Sequence, residues 1–276
     1  MTTIGGYVFG EDSSYEVAIN FSNEDDIFDE NGFVKENAVW GTSIDPKTGI
    51  EVSNKELWKN SLIKEGLFEF RYCIDEDDFV SDEEFSTYEE YQENLSNRFL
   101  RLVRWFAKNN PANATNKKFE NGESITFEDY KIKGVKETAY SNYNTADEIL
   151  RGTVVPGGTF TADTKEYRIA KMLRESENYL ILDSVVYHYL FIERHTMVDN
   201  VAKNTFWNTE DGVHWELTKN YDNDTADGVN NSGVLVFNYG TEIMDNDNDG
   251  EAIFNARNSA WLNFVDGLII LRETMY

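Results

Sequence analysis

The chain has almost no cysteine, little proline, few histidines and half as many bases as acids, and each shortage narrows what it can be. Cys73 is the one cysteine in 276 residues. No intrachain disulfide can form, so the fold does not depend on an oxidising compartment. With no His partner in view, Cys73 reads as a packed residue rather than a nucleophile. The three histidines, His188, His195 and His214, are too scattered to suggest zinc. Three prolines, no Gly/Ser linker and no internal repeat leave no sharp domain boundary, so residues 1–276 read as a single domain. The most apolar stretch, residues 179–192, is broken by Asp183 and His188 and is too short to span a bilayer. The opening MTTIGGYVFGEDSS turns acidic without an apolar run behind a basic start, which predicts no export signal.

Acids dominate what is present. There are 51 Asp and Glu against 25 Lys and Arg, a net charge of −26, and residues 1–97 alone hold 24 acids and 6 bases. Residues 1–97 therefore read as a very acidic mixed α/β part, and residues 98–276 as a mostly helical lobe. Between Asp75 and Glu93 stand ten acids and no base. Such a surface repels nucleic acid and anionic membrane, so neither is an expected partner. The run reads first as a solvated face and second as a docking face for a basic neighbour. Aromatics at 14% argue for a packed core rather than disorder.

Along the chain, YEVAINF (residues 15–21) and its neighbours read as short strands between Asp/Asn/Gly turns. Leu95, Phe99, Leu102, Val103 and Phe106 recur at helical spacing, with Arg98, Arg101, Arg104 and Lys108 on other faces. The Asn110-Pro111 step should end that helix, and its cationic side is expected to pair with the acidic run before it. Gly157-Gly158 belongs to no phosphate-cradling loop. An amphipathic helix is predicted over residues 163–178 with Asp163 or Thr164 as cap. A second cap at Asp183 or Ser184 opens the nearly all-apolar VVYHYLFI, which should be central to the lobe. A hairpin follows, residues 205–207 and 213–217 flanking Asp211-Gly212. VLVFNYG (residues 234–240) reads as a strand or turn, and residues 252–271 as a terminal helix.

The stretch 183–228 carries the chemistry-bearing residues. After the apolar helix comes a loop with Asp199 and Asn204 five positions apart, then the hairpin, then Asp222 and Asp224. The D-x-x-x-x-N spacing resembles the catalytic loop of protein kinases, with Met197-Val198 where His-Arg usually stands. Asp222 and Asp224, at i and i+2 of an extended segment, would project to one face where both reach a cation. The plain alternative is that residues 222–224 build a turn while Asp199 and Asn204 brace their loop.

This text resembles the spore-coat protein H (CotH) family of atypical kinases. The resemblance rests on FIERHTMVDN, Lys203-Asn204 and NYDND, with Tyr221 before the first aspartate of the last motif. It is nearest to versions of the domain in tailed-phage structural proteins. That likeness extends through FEFRY, FLRLVRWF, NPANATNK, GVLVFNYGTE and NSAWLNFVDG, over about residues 65–270. It implies an α+β, kinase-like (CotH-type) domain whose second half is mostly helical, with a β-hairpin and metal-loop region. It implies Asp199 as the catalytic aspartate if the domain is active, and Asp222, Asp224 and Asn204 as metal ligands for Mg²⁺. No lysine stands in a diagnostic strand to hold ATP phosphates; Lys35, Lys55 and Lys64 are among those in the N-terminal part.

The resulting expectation is a virion protein, assembled in the host cytoplasm, serving in the tail or tail hub among other virion proteins in a multisubunit assembly. The domain would be catalytically inactive. An active CotH-type kinase using ATP and Mg²⁺ is the alternative. A third reading is a calcium-stabilised host-binding module, motivated by DNDNDG at residues 245–250. There Asp245, Asp247 and Asp249 alternate as in an EF-hand loop that would bind Ca²⁺. Its twelfth position is Ala256, which lacks the bidentate carboxylate.

Overall fold

The computed structural model describes residues 2–6, 21–45, 48–63, 69–109, 111, 114–131, 154–155, 157–195, 197, 205–220, 226–227 and 229. In chain order the elements are β1 (Thr2–Gly6), a helical turn at Glu24–Ile27, β2 (Thr42–Ile44), β3 (Glu51–Ser53), α1 (Asn54–Ile63), β4 (Glu69–Arg71) and α2 (Tyr88–Asn109). Then come β5 (Ile125–Phe127), β6 (Tyr130–Lys131), β7 (Val154–Val155), β8 (Gly158–Phe160), α3 (Lys165–Glu175), α4 (Leu182–Arg194), β9 (Thr205–Thr209) and β10 (Glu216–Asn220). Helices and small antiparallel sheets make the class α+β. One sheet runs β10-β9-β1-β4, with Ile4 opposite Trp207 on one side and Phe70 on the other. Among the described residues, no helix is long and apolar enough to cross a membrane.

α2 is the scaffold. A capping box opens it: the Glu90 N–H donates to Thr87 Oγ1 at 3.2 Å, and Glu90 Oε2 accepts from the Thr87 N–H at 3.2 Å and from the Ser86 N–H at 2.8 Å. Phe99, Leu100, Leu102, Val103, Trp105 and Phe106 are all buried, so the helix is wrapped on more than one face. They join Phe21, Phe28, Trp58, Met172, Leu180, Val185, Trp207 and Trp215 in one core. Trp105 stacks on Tyr179 with centroids 4.5 Å apart, and its indole N–H donates to Glu175 at 3.0 Å.

The cationic side of α2 does not face the Asp75–Glu93 run. Arg104 and Lys108 converge on Glu24, Arg104 at 2.7 Å. Arg101 is 5% exposed and lies between the Phe33 and Tyr179 rings, 4.2 and 4.0 Å from their centroids. It donates to the carbonyls of Asn31 at 2.8 Å, Val213 at 3.4 Å and Asn178 at 3.5 Å. Burial pushes its pKa down, against the opposing pull of Tyr179 and Asp29. Residues 75–87 are instead an exposed loop that, with the first turn of α2, surrounds a ring cluster of Tyr72, Phe79, Phe85, Tyr88 and Tyr91. Cys73 is exposed rather than packed, its Sγ 2.9 Å from the Tyr91 hydroxyl, because it sits on the rim of that cluster.

A smaller body forms from β5–β8 and α3, where Tyr167 stacks on Phe127 at 5.8 Å. The glycine pair read from sequence works here by close approach: a Cβ at Gly157 would lie 2.5 Å from the Phe127 carbonyl. Thr164 caps α3, accepting from the Tyr167 N–H at 3.2 Å. Asp163 braces the same corner. Arg168 grips it with two bonds of 2.6 and 2.8 Å, and Thr115 donates its N–H at 3.0 Å and its hydroxyl at 2.9 Å. Of the other sequence expectations, residues 15–20, 234–240 and 252–271 lie outside the described residues. Phe21 is a buried core residue outside any strand.

Two predictions follow from these contacts. Arg101→Ala strips the shared donor from three carbonyls and two rings and should cost about 3 kcal/mol. Arg101→Lys should recover less than half of that loss, because an ammonium cannot reproduce the stacked fork; a Lys variant with the parental urea midpoint would refute this account. The Arg168 bond holds the Asp163 pKa down at about 2. A depressed acid stabilises the fold above its ordinary pKa, and the contribution drains away as pH falls from about 4 towards 2. Melting curves of parent and Asp163→Asn should differ most above pH 4 and converge near pH 2.

Candidate functional site

The site is framed by α4 and the β9–β10 hairpin. Leu180 and Trp215 form a parallel bridge, in which the Ile181 N–H donates to the Trp215 carbonyl and the Trp215 N–H to that of Tyr179, both at 2.9 Å. α4 then begins at Leu182, with Asp183 inside its first turn rather than capping it. Ser184 Oγ donates to the Ile181 carbonyl at 2.8 Å and accepts from the Leu217 N–H at 3.2 Å, pinning the helix start to β10. Val185 and His188 are buried against this seam.

The hairpin forms where expected but with a wider loop. β10 starts at Glu216, opposite Asn208, because Trp215 is diverted into the bridge with residues 179–181 while Val213 and His214 turn to Asp211. Asp211 organises that loop, accepting from the backbone N–H groups of Val213 and His214 at 2.8 Å and lying 2.6 Å from the His214 ring. Partial burial works against its ionised form, yet the bonds from His214 and Val213 hold its pKa below the ordinary carboxylate range. The Gly212 N–H donates to Thr209 Oγ1 at 2.8 Å.

At the other end of the hairpin Thr205 pairs with Asn220. The chain enters β9 and leaves β10 side by side. Asp199 and Asn204 precede this pair, Asp222 and Asp224 follow it, and all four lie outside the described residues. Their flanks are described. His195 closes α4 upstream of the first loop. Downstream of the second, the Asp227 N–H donates to the His195 carbonyl at 2.5 Å, and Asp227 Oδ1 lies 3.1 Å from His195 Nδ1. Both loops are therefore strung between the same two anchors, the end of α4 and the open end of the hairpin.

Sequence reasoning missed the His195–Asp227 contact. The signal was the Asp227-Gly228 step, a turn dipeptide that tolerates a left-handed backbone. Asp245, Asp247 and Asp249 also lie outside the described residues. Within those residues, no three His, Cys, Asp or Glu side chains gather as a metal site. Of the N-terminal lysines, Lys35 donates to the Asp25 carbonyl at 2.6 Å and Lys55 pairs with Glu93 at 2.8 Å, while Lys64 lies outside the described residues. No family model, curated protein or solved structure matches the chain.

Gly212 tests the hairpin loop. Its φ is +68°, and a Cβ there would stand 2.9 Å from Arg98 Cδ. Gly49, at +67°, has nothing within 4 Å and serves as control. Gly49→Ala should cost only the left-handed penalty of about 1 kcal/mol, and Gly212→Ala about 1–2 kcal/mol more. Equal urea midpoints for the two variants would show that the Arg98 contact imposes no constraint.

Proposed function

We propose that the chain is a structural component of a tailed-bacteriophage virion, in the tail or its hub, built on a CotH-type kinase-like domain. In this reading the domain holds a divalent cation, Mg²⁺ in its ancestral geometry, and transfers no phosphate. The observation that best supports it is that described residues flanking the two candidate segments meet in space: Thr205 pairs with Asn220, and Asp227 contacts His195. A phosphoryl-transfer site draws one carboxylate to the nucleophile and others to the metal, and needs the loops bearing them side by side. Fold ancestry alone does not carry activity. The engagement of Lys35 and Lys55 elsewhere favours a retired site over a working one. In the assembly, the acidic N-terminal third would steer a basic neighbouring virion protein.

Melting with and without Mg²⁺ or Mn²⁺, together with radiolabel transfer from ATP, tests the site. Metal should raise the melting temperature of the parent, because the native loops gather ligands that the unfolded chain scatters. Asp222→Ala should abolish the rise, Asp224→Ala weaken it and Asp199→Ala leave it intact, with no label transferred by any of them. A rise that survives in the Asp222 variant removes this site. Label transfer that collapses in the Asp199 and Asp222 variants makes the protein a CotH-type kinase. Stabilisation by Ca²⁺ alone, lost on Asp247→Ala, favours the host-binding module. A strictly monomeric protein absent from purified particles ends the virion assignment.

A further inference from the structure

β2 and β3 make a sheet of their own, and among the described residues no third strand joins it. Their register sets Thr42 opposite Ser53, Ser43 opposite Val52 and Ile44 opposite Glu51. The pairs on either side of this stretch are bonded: the Asn54 N–H donates to the Gly41 carbonyl at 3.1 Å and the Asp45 N–H to that of Ile50 at 2.9 Å. Bonded and open pairs alternate along an antiparallel ladder. Ser43 therefore turns its backbone groups to β3, while Thr42 and Ile44 aim their N–H and carbonyl groups to the free side of β2. Both residues are exposed, Ile44 at 60%.

Such an edge invites another strand. Sheet edges are usually guarded by a charge, a proline or a bulge, and Thr42-Ser43-Ile44 has none of these. It ends an uncharged run, Asn37 to Ile44, in a chain of net charge −26. β3 differs, because it carries Glu51 and runs directly into α1. The charge pattern selects the occupant. A basic partner finds no carboxylate on β2 to recognise, whereas a second copy can meet this edge without setting acid against acid. Glu51 is the charged residue on the exposed face of the hairpin, and in a β2-to-β2 pairing the two Glu51 backbones stand three strand spacings apart, about 14 Å.

We propose that β2 is a self-association edge, through which two copies of the chain pair antiparallel about Ser43 into one continuous sheet. Thr42 of each copy then lies opposite Ile44 of the other, so the outward groups of both strands satisfy one another. The two Ile44 side chains meet on the diagonal, about 7–8 Å apart. A contact this short buries less than a stable isolated dimer needs. It is weak in free solution and takes effect where many copies are held together. It depends neither on the cation site nor on the virion assignment.

Sedimentation velocity and amide hydrogen exchange of the full chain, from micromolar to millimolar concentration, test it. The parent should form a dimer as concentration rises, and the Thr42 and Ile44 amides should gain protection in step. Added salt should strengthen the dimer severalfold by screening two copies that each carry −26. Ile44→Lys should weaken it about tenfold or more by placing like charges on the diagonal. Ile50→Lys makes the same charge change at a residue that is 62% exposed but outside β2, and should leave the dimer intact. Melting temperatures of both variants should match the parent, since both sites are exposed. A dimer that survives Ile44→Lys overturns the proposal, as does a monomer at every concentration with both amides unprotected. Protection of both amides that does not change with concentration assigns the edge to this chain's own residues and also overturns it.

Discussion

The structure depends on one buried cation that, among the described residues, has no carboxylate within hydrogen-bonding distance. Arg101 sits at the middle of α2 and is held by two ring faces and three carbonyls from three distant parts of the chain. Asn31 belongs to the N-terminal region, Asn178 to the turn between α3 and α4, and Val213 to the hairpin loop. A guanidinium offers five donors in a rigid plane, so one side chain can take all three carbonyls while its faces pack on Phe33 and Tyr179. Arranged otherwise, these segments would leave a desolvated charge, which is among the most costly defects a core can hold.

The same logic divides the charges of the molecule. Net charge is −26, yet α2 turns its cations inward, where Arg104 and Lys108 share Glu24. The acids of residues 75–87 are left on an exposed loop stapled by aromatic rings. Sequence proximity suggested that the run and the helix neutralise one another. The fold separates them: among the described residues, no Lys or Arg pairs with the acids of residues 75–90, while Glu93 takes Lys55 and Lys59.

The elements legible in the sequence were those whose signal is local. The apolar spacing of α2 and α3, the Thr164 cap, the apolar text of α4 and the hairpin around Asp211-Gly212 all encode themselves within a few turns of chain. Less legible were features set by distant residues. β1 carries two glycines and two threonines and becomes a strand because β9 and β4 flank it. The hairpin loop widens because Trp215 answers to residues 179–181. Arg101 looked like surface because its acceptors are main-chain atoms, which leave no trace in composition. For the candidate site, the carboxylates and their order are read from the sequence alone, because the residues that bear them lie outside the described residues.

The placement of β1 has a consequence for how the molecule is made. Thr2 pairs with Thr209 and Thr3 with Arg71, so the central sheet is stitched from the two ends of the described chain. Strand pairs this distant in sequence raise contact order and slow folding. On a ribosome, β1 and β4 emerge long before β9. They must wait as a bare two-stranded edge until some two hundred residues have been synthesised, a time on the order of ten seconds or more at ordinary elongation rates. During that wait α2 can form, but the main sheet lacks its other half. Closure of the main sheet therefore comes late, with an unpaired strand edge exposed until the hairpin arrives to cover it.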